Sequence, residues 1–109
     1  MSIEDINKLD MIGIPKNNSN YVELGLTDHL SWDFPYESHL YKLQQKLNSY
    51  INIIETGNIY KYFPAAKGKE KFLIKIYFKY QIPDECINFL QSVNKVVLTI
   101  NTVVEYEIG

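Results

Sequence analysis

The chain has no arginine, and Cys86 is its one cysteine among 109 residues. Without arginine there is no guanidinium fork, the preferred reader of phosphate and guanine, and nucleic-acid binding is not expected. One thiol excludes an internal disulfide framework and fits a reducing cytosol. No apolar run approaches the roughly eighteen residues of a membrane span. The opening MSIEDINKLD is acidic and has no continuous apolar core, so it does not read as a secretory signal, and a cytoplasmic location is expected. There is no Gly-rich phosphate loop, dinucleotide fingerprint, HExxH or paired-carboxylate pattern. Neither enzymatic activity nor a cofactor is expected.

An apolar content of 46% with 22% charged residues suits one soluble domain over residues 1–109. The net charge of −2 hides an uneven distribution. Residues 1–37 carry Glu4, Asp5, Asp10, Glu23, Asp28, Asp33 and Glu37 against Lys8 and Lys16. Residues 61–79 carry Lys61, Lys67, Lys69, Lys71, Lys75 and Lys79 against Glu70. An acidic face of this kind can steer a cationic partner.

The strongest periodic signal is helical. Leu40, Leu43, Leu47, Tyr50 and Ile54 recur at steps of three and four, with Tyr36 and Ile51 beside the stripe. Lys42, Gln44, Gln45, Lys46, Asn48 and Asn52 are expected on the solvated face. Pro35 suits the first turn, with Asp33 or Phe34 as cap, and Gly57 suits the stop. Upstream, residues 3–14 and 21–26 alternate weakly around Pro15 and KNNSN, which reads as a hairpin. The NIYKYFPAAKGKE stretch reads as a loop whose aromatics plug the helix end. Phe72, Ile74, Ile76, Phe78 and Tyr80 form one face of a strand, with Lys71, Leu73, Lys75, Tyr77 and Lys79 on the other. Pro83 opens a second helix carrying Cys86, Leu90, Val93 and Val97, while VVLTI can be helix or strand. A last strand covers 102–108. The resulting order, β-β-α-β-α-β, is an α+β two-layer sandwich: a four-stranded antiparallel or mixed sheet with two helices on one face.

Asp28, His29 and His39 are the one group able to bind metal or move protons, although their spacing matches no standard zinc site. The plainer account has Asp28 capping a turn and one histidine packing on Trp32. Cys86 lies in an apolar stripe and reads as a core residue. Lys71, Lys75, Tyr77 and Lys79 define an open sheet face, for which solvation is favoured over RNA binding.

LGLTDHLSW, HLYKLQQKLNSYINIIETGNIYKYFP and AAKGKEKFLIKIYFKY together resemble a small bacterial family of unassigned function. Its pattern is L-x-D-H-L-x-W, then H-L-x-x-L-Q-x-K-L-N-x-Y and an E-x-G turn. Leu26, Asp28, His29, Leu30, Trp32, His39, Leu40, Leu43, Gln44, Lys46, Leu47, Asn48, Tyr50, Glu55 and Gly57 fit it. Members resembling this chain are often encoded beside polymorphic toxins, including those of contact-dependent growth inhibition. The resemblance therefore implies an immunity protein, whose partner is the C-terminal domain of a cognate toxin, such as a nuclease. No catalytic residue is carried over. On the residues themselves, Glu23, Asp28, Asp33 and Glu37, interleaved with Trp32, Phe34 and Tyr36, are the candidate toxin-binding patch, combining charge with aromatic anchors. The alternative is a small ligand- or metal-binding domain or enzyme built on Asp28, His29 and His39.

Overall fold

In the computed structural model, which describes residues 10–109, the apolar stripe becomes helix α1 (Glu37–Glu55), burying Leu43, Leu47, Tyr50 and Ile54. Pro35 lies outside the helix, behind Tyr36 as N-cap. Gly57 takes φ 78°, and its N–H donates to Ile54 O at 3.2 Å, so the left-handed stop expected there is formed. The strands are β1 (Met11–Gly13), β2 (Tyr21–Asp28), β3 (Lys71–Phe78) and β4 (Thr102–Ile108). The rest of the first expected strand, residues 3–9, lies outside the described residues. Helix α3 (Asp84–Val97) carries acids in its first turn and passes through a 3-10 turn, Leu98–Ile100, to Asn101 at φ 54°. The stretch VVLTI is therefore helical. The NIYKYFP loop is more ordered than expected, with one turn of helix, α2 (Ile59–Tyr62), and a 3-10 turn, Pro64–Ala66.

The sheet is mixed, in the order β1-β2-β3-β4, and only β1 and β2 run antiparallel. β2, β3 and β4 are parallel neighbours, with Tyr21 against Lys71 and Phe72 against Thr102. A one-wet-face alternation suggested antiparallel strands, but the β2–α1–β3 and β3–α3–β4 connections return through a helix and supply the crossovers that parallel pairing requires. Both crossovers step the same way across the sheet, so the right-handed rule places α1 and α3 on one face. Val22, Leu24, Leu26, Phe72, Ile74, Ile76, Phe78 and Val104 point to that face and are buried.

One element of the helix reading is overturned. Lys46 is fully buried rather than solvated, and its Nζ lies 3.3 Å from Asp10 Oδ1. Beside it Tyr50 Oη donates to Gly25 O at 2.9 Å and accepts from Asp10 N–H at 3.0 Å. The lysine stem lies along apolar surface, and its charged end meets a carboxylate far away in sequence. No described helix is long and apolar enough to cross a membrane.

Burial pushes the Cys86 thiol from 9.0 to about 12, the Asp28 charge adding to it, and the Tyr50 phenol from 10.0 to about 12. Both groups are neutral acids that the folded state keeps protonated. Their contribution to stability is full below the unfolded values and is lost as pH rises through the folded ones. The thermal midpoint is expected to fall across about pH 9–12, with Tyr50→Phe flattening the upper part of that fall. Thermal melts on both chains check this, and identical alkaline profiles would contradict it.

Candidate binding site at the carboxyl end of β2

β2 ends on its core-facing side with Asp28, 1% exposed, at the carboxyl end of the parallel strands. The chain then turns back toward α1, and the Asp28 carboxylate organises that return. Oδ1 accepts from Leu30 N–H at 3.1 Å, forming a local side-chain turn. Oδ2 lies 2.5 Å from Nε2 of His39, which sits in the first turn of α1. Against a carboxylate, Nε2 is the donor. A single buried acid thus ties the end of a strand, the start of a loop and the start of a helix together.

Trp32 closes this knot. Its ring stacks on His39 at 3.5 Å between centroids and 10° between planes, and meets Tyr36 and Phe78 at steeper angles. The packing of one histidine on Trp32 is as expected from the sequence. His39 Nδ1 and Trp32 Nε1 are buried with no hydrogen-bond partner among the described residues.

The outer side of the loop is different. Phe34 is 82% exposed, touching Tyr36 edge-on at 5.6 Å. The Phe34–Pro35 peptide bond is cis. Asp33 and Glu37 are exposed on either side, and Asp33 accepts from Ser31 Oγ at 3.0 Å. Lys42 is the cation bordering this hollow, alongside Asp33, Phe34 and Ser38.

The residues singled out in the sequence are thus divided. Asp33, Phe34 and Tyr36 share the surface loop and Glu37 opens α1 beside them, with Asp28 and Trp32 beneath as support. Glu23 is not part of it: it lies mid-strand on the open face of the sheet, opposite Leu73. Of Asp28, His29 and His39, the structure joins only the first and last. His29 is exposed and borders, with Asp28, Tyr77, Lys79 and Glu107, a hollow distinct from the one beside Phe34. Among the described residues no group of three or more His, Cys, Asp or Glu could hold a metal ion. On the lysine face Lys75 lies 3.4 Å from Glu107, whose hydrogen bond raises the Lys75 pKa. The Lys46–Asp10 pair escaped sequence reasoning because neither residue carries a local sign of the other.

A family of unknown function, DUF6572, matches residues 1–109. The chain belongs to that family. No curated protein and no solved structure matches it. Membership in DUF6572 assigns no activity, so any function rests on the geometry of this loop and on chemistry.

Proposed function

We propose that the chain is an inhibitory binding protein that neutralises a cognate protein toxin, with a nuclease domain as the expected target, by laying its acidic aromatic loop over the toxin's active site. The observation that carries this reading is Phe34, 82% exposed on a loop whose base is pinned by Asp28, His39 and Trp32. A large aromatic held outward on a rigid support is the form of a binding anchor, because little conformational freedom is lost on contact. Asp33 and Glu37 flank it with negative charge, which complements the cationic substrate cleft of a nuclease and speeds encounter.

The test is binding and rescue with the toxin encoded beside this chain. Phe34→Ala is expected to weaken the complex by roughly 30-fold or more, the effect of a hot-spot anchor, without altering the melting temperature. Asp33→Lys is expected to slow association chiefly, and the more so at low salt. Unchanged affinity and rescue for both variants would remove the loop from the interface, and failure to bind any neighbouring toxin would remove the reading itself. His39 Nδ1 and Trp32 Nε1, without a partner among the described residues, support a second reading, a small ligand or metal bound with Asp28, His29 and His39. It stands second because, among the described residues, these three do not form a group able to hold a metal ion. Stoichiometric metal in the purified protein would reverse the order.

A further inference from the structure

The two edges of the sheet are finished differently. At one, β1 has three residues and stops two positions before Pro15. At the other, β4 runs for seven residues and has no strand beyond it among the described residues. Phe72 N–H donates to Asn101 O and Gly109 N–H to Phe78 O, both at 3.0 Å, so the odd-numbered residues of β4 turn their main-chain groups toward β3. The even-numbered ones turn theirs outward. Val104 is already occupied: its N–H donates to Asn94 Oδ1 at 2.7 Å and its O accepts from Asn94 Nδ2 at 2.9 Å. The Asn94 amide acts there as one residue of a neighbouring strand. Beyond it, the main-chain groups of Tyr106 and Ile108 face outward, and both side chains are exposed. Ile87 and Gln91 of α3 border the same groove with Asn94 and Tyr106.

We propose that this edge is a docking site for one extended strand of a partner protein, basic at alternate positions. Glu105 and Glu107 decide the occupant. They point to the open face of the sheet and are exposed, Glu107 sharing its carboxylate with Lys75. A second copy pairing antiparallel about Glu105, Tyr106 or Glu107 would set acid opposite acid on that face, which is destabilising, and pairing about Val104 meets main-chain groups that Asn94 already holds. A strand with Lys or Arg on the open face and β-branched residues over Tyr106 and Ile108 meets opposite charge and apolar surface instead. Here Asn94 fills one position and fixes where an incoming strand must begin. The inference does not depend on the loop around Phe34, from which β3 separates it.

The test is titration of the isotopically labelled full chain with a synthetic peptide alternating Lys and Val, and with the same peptide carrying Glu for Lys. The Lys peptide is expected to bind and to slow amide exchange at Tyr106 and Ile108. Ile108→Pro removes an outward donor, which an edge strand tolerates, and is expected to weaken binding about tenfold. Glu105→Lys is expected to invert the preference between the peptides. Unchanged exchange at both amides, equal binding of the two peptides, or a concentration-dependent dimer protecting the same amides would each overturn the proposal.

Discussion

Lys46→Met is expected to cost about 3–5 kcal/mol of folding stability and to lower the thermal midpoint by more than about 12 °C. Methionine follows the path of the lysine stem, so little packing is lost. What is lost is the compensation of Asp10, whose side chain is 1% exposed and whose Oδ2 has no partner among the described residues. An ionised carboxylate abandoned in that setting dominates the change. The double variant Asp10→Leu with Lys46→Met is expected to recover most of the loss, because two apolar groups need no pairing. Chemical denaturation of the three chains measures both statements. A single variant within about 1 kcal/mol of the parent would mean that water reaches this pair and screens it.

Asp28→Ala is the second large effect, at roughly 2–4 kcal/mol, since the buried His39 Nε2–H and the part-buried Leu30 N–H both lose their acceptor. Its consequence for binding is more informative than its size. With the base of the loop released, Phe34 keeps its exposure but not its pose, so affinity for the proposed toxin partner is expected to fall even at temperatures where the chain is folded. Asp28→Asn keeps an acceptor for one donor and is expected to lose less than half as much. Calorimetry on the folded variants, paired with denaturation, separates pose from stability. Undiminished affinity in Asp28→Ala would show that the loop holds its shape without the acid.

Both long helices, the β3 alternation and β4 were legible because their signals are local: a stripe at three and four, or a period of two. Asp28 as a turn acceptor and Trp32 on a histidine were legible for the same reason, lying within a dozen residues of one another. Parallel pairing was not, because an alternating strand reads identically whichever way its neighbour runs. Glu23 was grouped with the loop by charge alone, yet a strand carries every second side chain to the opposite face. Residue type assigns Lys46 to water, and only the return of Asp10 to the same place, across the whole of β1, β2 and the first half of α1, contradicts it.

The register of β2 on β3, Tyr21 beside Lys71, means that the middle strand has no neighbour close to it in the chain. A hairpin can zip from its turn, but here the entire α1 excursion must be gathered in before the first central pair forms, and α3 must be gathered in before the second. Closing such spans is slow relative to local helix formation. The assembly of this central pairing is therefore the step expected to set the folding rate.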